Sequence, residues 1–255
     1  MHLIQTKAKI ISHKRLKDHY WHLEFESDVI SRRASPGQFV NVRVSAGPDP
    51  LLRRPVSIHR ISGRRVKLFY EVLGQGTQIL SSRKPGELLD IIGPLGKGFA
   101  YRLPGKRQAI IVAGGMGVAP LVFLAERIKS SKPLILIGAK TKRQILCRAE
   151  FKALGCAVAI ATDDGSLGFK GKVTDLLKIV LAQGKPVELF SCGPRQMLKT
   201  VTEIALEDKI PAQLSLEEHM ACGIGACLGC VVSTKFGYKR VCQDGPVFSG
   251  EELIW

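Results

Sequence analysis

The sequence predicts an α+β chain in three parts: an antiparallel six-stranded β-barrel, a doubly wound parallel α/β domain, and a small cysteine-rich module. Three observations carry this. Short apolar runs separated by turn signals fill residues 3–99, strand-like and helix-like runs alternate from Ala109 onward, and Cys222, Cys227 and Cys230 crowd together after a long stretch with few thiols. The expected boundaries are 1–100, 101–213 and 214–255. A chain of 255 residues has room for more than one compact core, and a hydrophobic content of 45% is ordinary for a folded protein.

In the first part, YWHLEFE, QFVNVRVS, PVSIHRI and RVKLFYEV are divided by SPG, PDP and SGR. Evenly spaced short strands of this kind close most readily into an antiparallel barrel. In the second part, AIIVAGG, LILIGA, AVAIAT and VELFSCG read as buried strands, with PLVFLAERIKS and TDLLKIVLAQ as helices between them. Alternating strand and helix gives a parallel sheet covered on both faces. The third part is too short for a large core of its own and requires a metal to organise it.

The thiols say which metal. Cys222, Cys227 and Cys230 are spaced C-x4-C-x2-C, and Cys242 follows in RVCQDGP. That is the order of the plant-type signature in which four thiolates hold a 2Fe-2S cluster. Zinc sites commonly use two separated short pairs, and the count of seven cysteines is odd, which argues against a disulfide framework. A zinc knot and reduced core cysteines are the alternatives. Gly223, Gly225 and Gly229 suit a loop that turns its amides toward sulfur.

The formal charge of +16 raises nucleic acid as a partner, but the basic residues are dispersed in pairs such as Arg32-Arg33 and Arg64-Arg65, and aromatic residues are only 6%. Stacking platforms are therefore not evident, and phosphate-bearing cofactors or an acidic partner protein suit the same field. The opening MHLIQTKAKIISHK carries early charges and no unbroken apolar run. Neither a signal peptide nor a membrane span is expected, so the cytoplasm is, and its reducing conditions suit thiolate-bound iron.

Four further segments carry candidate chemistry. In RRPVS, an arginine can fork onto a pyrophosphate, and the serine of the same strand can reach the polar edge of a ring. In EVLGQGTQIL, a strand runs into Gly74, Gly76 and Thr77 at a helix start, where amides can receive phosphate oxygens. IIVAGGMGVAPL and FSCGPRQM are both strand, glycine turn and proline-marked helix, and two such turns at carboxyl ends of parallel strands would line a nucleotide crevice. The first departs from G-x-G-x-x-G by placing Pro120 where the last glycine belongs. Cys192 suits contact with a nicotinamide ring at the crevice mouth, or an ordinary buried thiol.

Taken together, these segments and the cysteine cluster resemble the ferredoxin-reductase-like flavoproteins, and within them the electron-transfer subunits of class 1B dihydroorotate dehydrogenases. The resemblance spans essentially the whole chain, including the domain order. It implies an FAD site at Arg54, Pro55, Val56 and Ser57, completed by Glu71, Val72, Leu73, Gly76 and Thr77. It implies a pyridine-nucleotide site at Gly114, Gly115, Gly117, Cys192, Gly193 and Pro194, and cluster ligation by Cys222, Cys227, Cys230 and Cys242. Val56 stands where many relatives have an aromatic residue that stacks on the flavin, which leaves the stacking partner open. Trp255 is expected to pack rather than to cover a flavin face.

The nicotinamide is expected to be NAD. Asp163 leaves a buried strand close to the expected ribose position, where a carboxylate accepts from ribose hydroxyls and repels a 2′-phosphate. A solvated turn before Gly165 explains Asp163 and Asp164 nearly as well, and Lys140, Lys142 and Arg143 pull toward NADP. Nicotinamide exchanges a hydride, the cluster single electrons, and a flavin both, so FAD belongs between them. No residue looks like a general base for dihydroorotate. That oxidation is expected on an FMN-containing dihydroorotate dehydrogenase catalytic subunit, in a heterotetramer with two copies of each chain, with neither nucleic acid nor membrane as partner. The competing readings are the small subunit of a ferredoxin:NADP reductase, sulfide dehydrogenase or cytosolic hydrogenase, some of which place aspartate at the first ligand position, and a non-enzymatic zinc-binding regulatory module.

Overall fold

The computed structural model describes residues 3–102 and 107–255. Residues 1 and 2 of the first expected domain, and 103–106 just past its expected boundary, lie outside the described residues.

Six strands, β1 (Gln5–Lys17), β2 (Tyr20–Glu26), β3 (Phe39–Arg43), β4 (Arg54–Ser62), β5 (Arg65–Glu71) and β6 (Leu88–Leu95), close into an antiparallel barrel in the order β1-β2-β5-β4-β3-β6. Period-two alternation builds it: Leu23 and Phe25 of β2 face Leu68 and Val66 of β5 across the ladder, and all four are fully buried. Closure leaves no unpaired strand edge. Two short helices decorate it, α1 (Asp28–Arg33) and α2 (Gln75–Ser81). The Ser27 hydroxyl caps α1 by accepting from the Ile30 amide at 3.3 Å, a contact worth about 1 kcal/mol.

The second unit runs β7 (Gln108–Gly114), α3 (Val118–Arg127), β8 (Leu134–Ala139), α4 (Arg148–Ala153), β9 (Ala157–Thr162), β10 (Phe169–Lys170), α5 (Val173–Leu181), β11 (Val187–Cys192), α6 (Arg195–Glu207) and β12 (Ala212–Ser215). Strands covered on both faces read as continuous apolar runs, and β7 shows it: Ala109 to Ala113 are buried without a break. The sheet order is β10-β9-β8-β7-β11-β12, closed at one edge by β15 (Val247–Ser249) antiparallel to β12. The chain steps one way from β7 to β10, then returns to the other side of β7 at β11. The switch point of this doubly wound sheet therefore lies between β7 and β11, and ligands bind at the carboxyl ends there.

Between β12 and β15 lies the cysteine-bearing segment, with a hairpin of β13 (Val231–Thr234) and β14 (Gly237–Arg240). β12 runs across residues 213 and 214, so this segment and the α/β unit share a sheet. The barrel is joined to the α/β unit through α3, which packs on β4 and β5 and buries Phe123 among the barrel's core residues.

Candidate functional site

At the switch point, β7 runs into Gly114 and a 3-10 turn, Gly115–Gly117, while β11 runs into Gly193 and Pro194 ahead of α6. The two turns touch. A Cβ on Gly117 would stand 2.3 Å from the carbonyl carbon and oxygen of Cys192, an approach only glycine permits. Above them opens a cleft of about 430 Å³, bounded by Gly114, Gly115, Met116 and Pro194 on one side and by Lys140, Asp163 and Lys172 on the other. Asp163 and the cations thus share one end of one cleft. Cys192 lines neither this cleft nor the next, is 1% exposed, and has its thiol pushed up by burial.

A second cleft, about 330 Å³, lies where the three parts of the chain meet. The barrel supplies Pro55, Val56 and Ser57 from β4, Glu71 from the end of β5, and Leu73 and Thr77 beyond it. Met116 and Ala119 enter from the α/β unit, and Glu217 and Met220 from the segment leading to the first clustered cysteine. At the rim, the Arg54 guanidinium lies across Gly76, where a Cβ would come within 2.1 Å of its Nε. That cradle, a cation over a bare backbone at a helix start, fits a diphosphate-bearing cofactor, and the cleft volume suits a planar ring. Two amides of the turn, Leu73 and Gly74, donate to the Thr77 hydroxyl at 3.0 and 3.2 Å, so that hydroxyl is folded onto its own turn. Glu71 and Met116 line both clefts, which therefore adjoin. Val72 is half-buried against the barrel core.

The cysteine loop is shaped around sulfur. Gly223 and Gly225 hold φ values of 69° and 86°, and a Cβ on either would strike Asn41 or Gln243. Burial pushes the Cys222 thiol up, but the amides of Ile224 and Cys227, which donate to its Sγ with each nitrogen 3.4 Å away, bring it down to about 6. Gly229 donates to Cys227 at 3.5 Å and Cys242 to Cys230 at 3.5 Å. The thiols stand in pairs, Cys222 beside Cys227 and Cys230 beside Cys242. Zinc needs four donors converging on one point, whereas a two-iron cluster takes two thiolates per iron, so the donor set fits the latter. Asn41 of β3 donates to the Cys222 carbonyl at 3.2 Å, which ties the loop to the barrel beside the second cleft.

Sequence reasoning did not find Tyr20, Lys172, Gln196, Glu217 or Met220, all of which line a cleft. Glu217 carried the only usable signal, an acid just ahead of the cysteine loop. The residue as a whole is exposed, but the protein packed around its carboxyl and the charge of Glu71 both push that carboxyl up. Trp255 packs on the α/β core with the Arg195 guanidinium 5.6 Å above its ring and lines neither cleft. A larger hollow of about 740 Å³ lies at the amino ends of β7 and β11, away from the glycine turns that follow those two strands.

Barrel, switch-point crevice and thiolate loop together define a ferredoxin-reductase-like chain with an appended iron–sulfur module. A structure of an NADH-dependent reduced ferredoxin-NADP oxidoreductase superposes with a TM-score of 0.86 at 30% identity, covering 97% of this chain and 90% of that one. A ferredoxin NADP+ reductase from Neisseria gonorrhoeae with bound FAD and NADP shares the fold at a TM-score of 0.68 and 18% identity, covering 80% and 91%. Residues 217–254 match the family described as the iron-sulfur cluster binding domain of dihydroorotate dehydrogenase B. The dihydroorotate dehydrogenase B (NAD(+)) electron transfer subunit of Desulforamulus reducens is 43% identical, covering 97% of both chains. That of Caldanaerobacter subterraneus is 40% identical, covering 98% of this chain and 99% of its own. The chain belongs to the family of dihydroorotate dehydrogenase B electron transfer subunits.

Proposed function

We propose that this chain relays electrons between an NAD-type nicotinamide and a catalytic partner that oxidises dihydroorotate, through FAD and a 2Fe-2S cluster, in pyrimidine biosynthesis. The observation that carries this is adjacency. Glu71 and Met116 join the nucleotide cleft to the cleft at the barrel, and Glu217 and Met220 join that cleft to the cysteine loop. When bound, FAD supplies the exchange between two-electron and one-electron chemistry.

The residues divide the work by chemistry. Arg54 would pair with the FAD diphosphate over Gly76, while Pro55, Val56 and Ser57 form the wall against its ring. Gly114, Gly115, Gly193 and Pro194 clear space for the nicotinamide nucleotide. Asp163 would accept from the adenosine ribose, with Lys140 and Lys172 close by to receive phosphate charge. Cys222 and Cys227 would hold one iron, Cys230 and Cys242 the other, and the amides aimed at sulfur stabilise the thiolates. The chain needs no proton-abstracting side chain of its own, because dihydroorotate is oxidised elsewhere.

That oxidation falls to an FMN-containing catalytic subunit, with two copies of each chain in the assembly. Support comes from the surface near the cysteine loop, where Leu228, Val231 and Tyr238 are exposed beside an exposed Cys227. Apolar side chains around a redox centre favour docking of a partner at short electron-transfer range. Among the described residues no helix is long and apolar enough to cross a membrane, and a cytoplasmic location suits the cluster. The test is reconstitution. The chain, mixed with an FMN-containing dihydroorotate dehydrogenase catalytic subunit, should make dihydroorotate reduce NAD+, and an inert mixture with all cofactors loaded would refute the assignment.

A further inference from the structure

Behind the barrel cleft, and in the lining of neither cleft, His22, His59 and Glu150 bring three ligand-type atoms within 4.8 Å of one another, the one such group among the described residues. His22 comes from β2, His59 from β4 and Glu150 from α4, so the group bridges the barrel and the α/β unit. None of the three belongs to the electron path.

The hydrogen bonding leaves a specific gap. His59 is fully buried, and its Nδ1 lies 2.7 Å from the Ala119 carbonyl. A carbonyl only accepts, so Nδ1 carries the proton and donates, and in the neutral ring the Nε2 lone pair points away from it. That lone pair faces the Glu150 carboxylate, with Oε2 at 3.0 Å. Two acceptors at this distance repel unless a cation stands between them. His22 Nε2 is buried, has no hydrogen-bond partner, and lies 4.0 Å from the other carboxylate oxygen. One proton between His59 and Glu150 would still leave His22 unmatched. One divalent ion would satisfy all three.

We infer that His22 Nε2, His59 Nε2 and the Glu150 carboxylate form a zinc site that clamps the barrel to the α/β unit. Two imidazoles and a carboxylate are a donor set that zinc accepts, with bond lengths of about 2.0–2.2 Å that put tetrahedral donors roughly 3.3–3.5 Å apart. His59 Nε2 stands 3.0 Å from one carboxylate oxygen and His22 Nε2 4.0 Å from the other, with one donor atom from each residue within 4.8 Å of the rest, so small side-chain shifts bring them to that spacing. Ala119 supplies what a metal-bound histidine requires on its other nitrogen, a carbonyl that fixes the tautomer and ring plane. The position also gives the site a consequence. Ala119 lines the barrel cleft, and so does Phe69, whose ring meets His22 edge-on at 4.8 Å between centroids. An ion here holds the back wall of that cleft in register across two units, as a structural clamp with no part in electron transfer.

The test uses the holo chain, FAD and cluster loaded, so that the cysteines are occupied. After treatment with a mild chelator that spares the cluster, titration calorimetry with zinc chloride should show one equivalent bound, with the visible spectrum of the cluster unchanged. His22→Gln removes a side chain that makes no hydrogen bond, so it should fold normally and bind zinc at least about 100-fold more weakly. Zinc should raise the melting temperature of the parent chain and not of H22Q. Glu150→Gln should weaken zinc binding comparably. Failure of the parent chain to bind zinc, equal binding by H22Q, or loss of the cluster's absorbance in step with zinc uptake would each overturn the site.

Discussion

Gly117→Ala separates the geometry of the nucleotide crevice from everything else in the chain. Gly117 has φ −58°, which alanine adopts freely, so the substitution adds no backbone strain and only one methyl group. That methyl would stand 2.3 Å from the Cys192 carbonyl and 2.4 Å from the Gly193 amide nitrogen, all backbone atoms that cannot swing aside. Ordinary contact begins near 3.4 Å, so one turn must retreat from the other by about 1 Å. Forced overpacking of this kind costs about 1–3 kcal/mol, which in a chain of this size lowers the melting temperature by roughly 3–10 °C. A displacement of about 1 Å at a reacting site lowers kcat/KM by roughly 100-fold. The assay is NADH oxidation by the purified chain with an artificial electron acceptor, alongside flavin and iron content. G117A should retain both cofactors and lose about two orders of magnitude in kcat/KM for NADH. Gly47→Ala, whose added methyl meets nothing within 4 Å, should be silent in both measurements. A G117A variant with parental kcat/KM would show that contact between the two turns does not set the nucleotide site.

Other outcomes follow from the same geometry. Cys227→Ser should abolish iron and acid-labile sulfide while leaving most of the FAD, because none of the four cysteines lines the barrel cleft; full iron content would refute the ligand assignment. Arg54→Ala should weaken FAD binding by roughly 10–100-fold through loss of a charge-assisted contact, whereas Arg64→Ala, exposed on the β4–β5 hairpin beside Glu26 and Asp28, should leave it unchanged. Equal flavin content in the two variants would count against the motif. Asp163→Ala should narrow the preference for NADH over NADPH, and a parent chain with the higher kcat/KM for NADPH would reject NAD as the cofactor. Burial holds the His13 imidazole below its ordinary 6.5, with its ring bonded to the Arg83 carbonyl and the Tyr70 hydroxyl. Its folded value is depressed, so its contribution is present above the unfolded value and lost as pH falls through the folded one. His13→Gln should therefore reduce the loss of stability in urea melts below pH ~6.5 by at most about 1.4 kcal/mol per pH unit, and an unchanged slope would reject this origin.

The parts of the fold legible in the sequence are those where one local pattern dominates. YWHLEFE coincides with β2, LILIGA with β8 and AVAIAT with β9, because unbroken alternation or unbroken apolar runs leave no rival structure. The longest strand, β1, was not legible. Its inward Ala8 and Ile10 sit among Lys7, Lys9 and Lys14, and the basic residues hide the period. β15 was missed for a different reason. Three residues, Val247–Ser249, make no periodic signal and become a strand only because β12 offers them an edge. The chemistry shows the same division. Four cysteines and two glycine turns are contiguous motifs, readable in one dimension. The clefts also need Tyr20, Glu217 and Met220, which no motif links, and the His22–His59–Glu150 group is assembled from three elements far apart in sequence. Val56 left the flavin's stacking partner open in the sequence, and the structure supplies Phe39, Phe69 and Tyr70 as aromatic neighbours of that cleft.

Anaerobic addition of NADH to the purified chain, followed by visible absorbance and by electron paramagnetic resonance, reads the proposed relay directly. NADH should bleach the flavin bands and then raise the signal of a reduced 2Fe-2S cluster, while Cys227→Ser should show the flavin change alone. A parent chain whose flavin is reduced by NADH while its intact cluster stays oxidised would contradict the relay.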